Sequence, residues 1–235
     1  MRSIVIGLVA PKRAGKQTFV TLLLRTLDRN LWSPSHKHFE FSAPLGLGLE
    51  RLGLPKTRQN YQKLAVVIND IANGCSLPLG TGKLGIEESP ENLQNLGAVS
   101  REIFGGQKVF HGMDLMLGRD NSDLKFADGM RWPEDETLIR SLPYSLVVYI
   151  NASPSVRYER ARTAANSKVG EQQMTWEEFL ETERAPTEVN ITEIGSRADF
   201  MILNDNGLDE YGRQVKNFYD SKLVPMVRNL LRKDE

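Results

Sequence analysis

A single cysteine, Cys75, stands in 235 residues, which excludes an intrachain disulfide framework and suits a reducing compartment. Neither sign of charge is in excess. Thirty Lys and Arg balance 30 Asp and Glu, so no global field points to nucleic acid or to an anionic membrane surface. No apolar run approaches the roughly 20 residues of a membrane span. The Met-Arg start followed by apolar residues superficially looks like a secretory signal, but the run is too short and is better used as a strand. Low-complexity tracts and solenoid periods are lacking as well; residues 57–65 and 89–97 are only loosely alike. These absences lead to the expectation of a soluble, cytoplasmic protein. With 40% hydrophobic residues the chain can bury a sizeable core as one domain, with or without a subdomain.

What is present begins at residues 3–18, SIVIGLVAPKRAGKQT. The β-branched apolar run Ile4, Val5, Ile6, Leu8, Val9 leads into a turn ending Gly15-Lys16-Gln17-Thr18, after which FVTLLLRTL takes helical apolar spacing. Strand, glycine-containing loop, lysine and helix together predict a phosphate-binding loop. Amide N–H groups at the helix N-terminus surround an anion, the helix dipole favours negative charge, and Lys16 adds a point charge. The usual pattern has glycine where Ala10 stands and a hydroxyl where Gln17 stands, with Thr18 one place later. GTPases and most motor ATPases use that first hydroxyl as a direct Mg²⁺ ligand, whereas small-molecule phosphotransferases can hold the metal through water, phosphate oxygens and a distant carboxylate. The form PKRAGKQT therefore tilts the expectation towards a nucleotide-kinase-like enzyme.

Strands alternate with helices along the chain, which predicts an α/β architecture in three layers: a mostly parallel five-stranded sheet with helices on both faces. Expected strands lie at 36–42, 124–129, 144–151 and 198–205, in addition to the first. Expected helices lie at about 16–30, 44–53, 57–73, 90–104, 107–118, 154–165, from 175 onward, and 208–232. Residues 74–90, rich in Gly, Pro and Ser, read as a loop or small excursion. Thr175-Trp176-Glu177-Glu178 is a capping box.

Asp128 ends the apolar strand LKFAD and is followed by Gly129, Met130 and Arg131. Ligands of open α/β sheets sit at the carboxyl ends of strands, so Asp128 is expected near the phosphates, holding Mg²⁺ or orienting an acceptor hydroxyl, with Arg131 aimed at a phosphate. Arg157, Arg160 and Arg162 form a basic cluster in PSVRYERARTAANSK. Phosphoryl transfer needs cations over the transferred group, and an arginine-bearing lid can supply them. Arg160 and Arg162 are expected to serve there, with Arg157 on the surface. Residues 164–174 lack an apolar pattern, so weak order without ligand is expected.

Taken together, GLVAPKRAGKQT, FADGMRWPEDETLI, VVYINASPSVRYERAR, TWEEFLETE and ADFMILNDNG resemble the P-loop nucleotide-kinase superfamily, notably bacteriophage-type deoxynucleoside monophosphate kinases and dephospho-CoA-kinase-like proteins. The resemblance covers the first 20 residues and most of 90–210. It implies a single domain over 1–235, with a helical acceptor-binding insertion at 43–118 and a lid at about 152–197. The triphosphate loop would be Ala10, Pro11, Lys12, Arg13, Ala14, Gly15, Lys16, Gln17 and Thr18, with Thr18 and Asp128 at Mg²⁺. Asn204, Asp205 and Asn206 would contact the adenine of ATP. In the acceptor region, where the likeness fades, Arg58 and Arg101 are candidates for an acceptor phosphate, and Gln94, Asn92 and Gln62 for a base edge.

Other motifs lead elsewhere. Gly80-Thr81-Gly82-Lys83 imitates a phosphate loop but has no strand before it, so a surface turn is expected. Phe104-Gly105-Gly106-Gln107 looks like an ABC-ATPase signature, yet Gly129 stands where a catalytic Glu would follow the strand aspartate. His36, His38 and His111 show no metal-ligand spacing with Cys75, and two alternate along one strand as packing residues would. The expectation is an Mg-ATP-dependent (deoxy)nucleoside monophosphate kinase-like enzyme, with nucleotide substrates and neither nucleic acid nor membrane as partner. A dephospho-CoA-kinase-like activity and a non-catalytic nucleotide sensor are the alternatives. The sequence leaves the oligomeric state open, a homodimer included.

Overall fold

The computed structural model describes residues 3–29, 33–163, 171–184 and 186–232. The chain opens with β1 (Ile4–Val9), α1 (Lys16–Arg29) and β2 (His36–Glu40). A run of helices follows: α2 (Ala43–Arg51), α3 (Arg58–Ala72), α4 (Leu77–Leu84), α5 (Pro90–Ala98) and α6 (Val109–Arg119). Then come β3 (Leu124–Asp128), α7 (Pro133–Ser141), β4 (Ser145–Asn151), α8 (Pro154–Thr163), α9 (Trp176–Glu183), α10 (Pro186–Ser196) and β5 (Phe200–Leu203). Helices α11 (Gly207–Phe218) and α12 (Val224–Arg232) close the described chain.

The strands form one five-stranded sheet in the order β2-β3-β1-β4-β5, with the β1–β3, β1–β4 and β4–β5 pairs parallel. It is the expected α/β arrangement. Parallel strands buried on both faces need continuous apolar runs, and Ile4–Val9 is buried throughout. Register aligns Leu8 with Asp128 and Val9 with Tyr149, so the loop after β1 leaves the sheet beside the end of β3. Phe19, Leu23 and Leu27 of α1 pack with Leu124, Phe126, Val148, Ile202, Val215 and Phe218 in the main core.

Two compact units divide the chain: one of residues 1–38 with 122–235, the other of residues 39–121. The second has its own core, in which Leu49, Leu64, Val67, Ile68, Leu96, Val99 and Phe104 are buried.

Several elements differ from expectation. The stretch 74–90 is not a plain loop, because α4 occupies Leu77–Leu84 and ends on Gly85 in the left-handed region at φ 74°. Gly80 serves close packing there: a Cβ would meet Leu96 at 3.0 Å and Val67 at 3.1 Å. The Gly80–Lys83 motif is thus helical, with Thr81 fully buried, rather than a surface turn. Helices α7 and α10 lie where no helix was expected. The single closing helix is interrupted by a π turn at Tyr219–Leu223, because Pro225 has no N–H to give the Ser221 carbonyl. Of the segment expected to be weakly ordered, 164–170 lies outside the described residues; 171–173 is a 3₁₀ turn, and the Tyr158 hydroxyl donates to the Met174 carbonyl at 3.0 Å. No described helix is long and apolar enough to cross a membrane.

Candidate functional site

The loop between β1 and α1 turns through two residues with positive φ, Arg13 at 62° and Gly15 at 107°. Glycine at position 15 is needed twice over, since a Cβ would also run into the Asn204 amide nitrogen. What holds the loop is visible in its carbonyls, because four consecutive ones each accept from a side chain. Arg157 Nη1 donates to the Lys12 carbonyl at 3.5 Å and Arg160 Nη1 to the Arg13 carbonyl at 3.3 Å. Asn204 Nδ2 donates to the Ala14 carbonyl at 2.8 Å and the Tyr211 hydroxyl to the Gly15 carbonyl at 3.0 Å. Burial pushes the Tyr211 phenol up, which keeps it a donor, although the charge of Arg160 pulls the other way. With those carbonyls taken by side chains, the N–H groups opening α1 at Lys16, Gln17 and Thr18, which have no acceptor within the helix, are available to an anion.

A cavity of about 390 Å³ sits against this loop, lined by Pro11, Arg13, Ala14, Gly15, Lys16, Gln17, Asp128 and Arg160. Lys16 Nζ lies 2.5 Å from Asp128 Oδ1. His38 Nε2 lies 3.4 Å from Asp128 Oδ2, although sequence spacing assigned His38 to packing. Burial alone pushes the Asp128 carboxyl up, but the hydrogen bond from His38 and the charge of Lys16 outweigh it and hold the group below its ordinary value. Asp128 Oδ1 is buried, with the Lys16 ammonium as its close contact. A second cavity, of about 230 Å³, shares Gly15 and Arg160 with the first and adds Thr18, Asn204, Gly207, Leu208 and Tyr211.

The other residues singled out by sequence are placed as follows. Gln17 lines the cavity with Asp128, whereas Thr18 lines the second cavity, so the two residues paired for metal do not meet in one. Arg131 Nη1 is ion-paired with Glu188 at 2.5 Å. Arg160 bridges both cavities, and its Nη2 donates to the Asn204 carbonyl at 2.7 Å. Arg162 is half-exposed, 4.0 Å from Glu159 and over the Tyr158 ring. Asn204 is buried and holds the loop, Asp205 accepts the Ser153 N–H at 2.7 Å, and Asn206 is exposed before α11. Lys12 is exposed, and Ala10 and Pro11 are buried. Arg58, Gln94 and Arg101 all belong to the 39–121 unit: Arg58 opens α3, Gln94 is exposed on α5, and Arg101 is exposed on the π turn Val99–Ile103. Among the described residues no three His, Cys, Asp or Glu cluster as a preformed metal cage.

Arg157 is a correction. Expected on the surface, it is only 4% exposed. Its Nε donates to the Ala152 carbonyl at 2.9 Å, its Nη2 pairs with Glu183 at 2.5 Å, and its guanidinium lies over the Phe179 ring. It thus ties the loop to the residue that follows β4 and to α9. Arg157→Met keeps the length but leaves Glu183 without its cation, and breaking a buried pair from one side is strongly destabilising. The expected result is a thermal midpoint lower by several degrees, read by calorimetry.

Downstream of Asp128, the backbone N–H groups of Arg131 and Trp132 donate to Asp135 Oδ2 at 2.9 and 3.0 Å, fixing the turn into α7. Burial pushes the Asp135 carboxyl up to about 6, against the downward pull of those two N–H groups. A carboxyl raised above its unfolded value binds its proton more tightly when folded. Its contribution is therefore complete below the ordinary value of 3.8 and is lost as pH rises through about 6. Asp135→Asn is expected to flatten the fall of the urea midpoint across that window.

No protein-family model matches the chain. A UPF0200 protein from Pyrococcus abyssi is 32% identical over 92 residues, covering 38% of this chain and 48% of that protein. One from Hyperthermus butylicus is 29% identical over 100 residues, covering 43% and 52%. The chain thus spans about half the length of these curated relatives. Among solved structures, TT1252 from Thermus thermophilus aligns with a TM-score of 0.53 at 19% identity, covering 95% of this chain and 99% of that one. A shikimate kinase from Bacteroides thetaiotaomicron aligns with a TM-score of 0.50 at 11% identity, covering 92% and 97%. The chain therefore shares its α/β fold with TT1252 and with a shikimate kinase.

Proposed function

We propose that the chain is an ATP-dependent phosphotransferase of the nucleotide-kinase type, passing the γ-phosphoryl group of Mg-ATP to a (deoxy)nucleoside monophosphate. One observation carries this reading. A loop with four consecutive carbonyls bound by side chains shares a cavity with a lysine, an arginine and a carboxylate. A structural turn has no use for that combination of bound carbonyls, spare N–H groups and opposed charges. The fold held in common with a shikimate kinase supports a kinase-type reading.

In this reading the N–H groups at the start of α1 bind the β-phosphate, and Lys16 turns from Asp128 to the phosphate oxygens. Arg160, anchored on the Arg13 and Asn204 carbonyls, adds positive charge between the two cavities. Asp128 fits a divalent cation because Oδ1 is buried and charged. Mg²⁺ bound there would neutralise charge on the phosphate oxygens. Asp128 and Gln17 are the side chains facing it from this loop cavity, and Thr18 serves the triphosphate from the second. Transfer then depends on positioning and electrostatics rather than on covalent chemistry by the protein.

The test is a coupled ATP-consumption screen over deoxynucleoside monophosphates, ribonucleoside monophosphates and dephospho-CoA. Transfer to a monophosphate is expected. Transfer to dephospho-CoA alone selects the alternative kinase activity, and tight ATP binding without transfer to any acceptor selects a sensor.

A further inference from the structure

His38 enters the site from a strand edge. It lies on β2, beside β3 in the sheet, and its ring centroid is 6.2 Å from that of Phe126, tilted by 36°. Phe126 and Asp128 are two residues apart on β3, so their side chains share one face. His38 spans both, resting on the ring and reaching the carboxylate. Phe126 is fully buried among the α1 side chains, which fixes the platform on which the imidazole rests.

The two oxygens of Asp128 therefore have different partners. Lys16 takes Oδ1 at 2.5 Å and His38 faces Oδ2 at 3.4 Å. Lys16 stands at the first position of α1, where an anion would compete for its ammonium. His38 has no such second claim, since it lines neither loop cavity. When a phosphate draws Lys16 away, Oδ1 is released while Oδ2 keeps a donor.

We propose that His38 is a positioning residue for Asp128: its Nε2–H holds Oδ2, so that Oδ1 stays directed into the loop cavity once Lys16 turns to the phosphates. This assignment rests on the phosphotransferase reading. It requires only the neutral imidazole with its proton on Nε2. Partners that orient a functional carboxylate typically matter by roughly 10–100-fold in activity.

His38→Leu removes the donor, and His38→Gln restores an amide N–H at similar reach. The leucine variant is expected to lose roughly 10–100-fold in kcat with little change in KM for ATP, and the glutamine variant to recover most of it. Long-range ¹H–¹⁵N spectra of the ligand-free protein give a readout independent of turnover. One imidazole, assigned by its loss in His38→Gln, should show the Nε2–H tautomer and shift in Asp128→Asn, while the signals of His36 and His111 stay in place. A leucine variant with wild-type kcat, or a His38 signal in the Nδ1–H tautomer or unmoved by Asp128→Asn, overturns the proposal. If His38→Leu does not fold, the glutamine variant and the spectra decide it. A wild type inactive with every acceptor overturns the phosphotransferase reading alone, and the spectra then settle whether His38 holds Asp128.

Discussion

Lys16→Ala is expected to abolish phosphoryl transfer, by about 10³-fold or more, and to weaken ATP binding while leaving the chain folded. The Lys16 side chain is partly exposed, and Asp128 is its ionic partner at 2.5 Å. Truncation removes the one cation that the loop itself places at the first turn of α1, and the backbone N–H groups cannot replace a full charge. The vacated Asp128 keeps its contact with His38, which limits the cost to stability. Its carboxyl nevertheless moves up, because burial is then opposed by His38 alone. Nucleotide titration and thermal unfolding, measured on the same preparation, separate the two effects. ATP affinity and turnover both at wild-type level would end the reading of residues 10–18 as a nucleotide loop.

The parts of this site that could be read from sequence are those in which local pattern and chemistry coincide. The run Ile4–Val9 is buried at every position, and a β-branched run before Gly15-Lys16 has few other uses. Asp128 was legible for the same reason, as a charge at the end of the nearly buried LKFAD. What escaped notice depends on partners distant in sequence. Arg157 lies in PSVRYERART, a segment with scarcely an apolar stripe, so nothing local marks it as buried. Its surroundings come from Glu183 and Phe179, on another helix. Asn204 reads as a loop residue free to meet a base, but its amide belongs to the Ala14 carbonyl 190 residues earlier.

Glycine misled in the opposite direction. Gly80 and Gly82 read as loop formers, yet the first lets α4 approach Val67 and Leu96, a packing reason invisible to turn propensity. At Gly195 the same logic operates: a Cβ would stand 2.6 Å from the Tyr149 ring, so the close approach of α10 to β4 there needs glycine. His38 shows the limit of spacing arguments. Alternation on a strand tells which residues share a face, but not that the next strand ends in a carboxylate beside it.

Asp128→Asn is expected to separate catalysis from binding most cleanly, because in the proposed reading the wild-type carboxylate opposes nucleotide binding while serving transfer. In the ligand-free protein Asp128 occupies the Lys16 ammonium, and phosphate must displace it from a contact of 2.5 Å. The amide has the same shape and no charge, so Lys16 becomes free at the outset. ATP affinity is then expected to hold or to rise. Turnover is expected to fall by about 10² or more, since neither a divalent cation nor an acceptor hydroxyl finds a carboxylate at the end of β3. His38 can still donate to the amide oxygen, so loss of its contact cannot account for the effect. Isothermal titration with ATP alongside single-turnover transfer reads both quantities. A variant that transfers at the wild-type rate, or whose loss is wholly explained by weaker ATP binding, would remove Asp128 from the chemistry and leave it as the resting partner of Lys16.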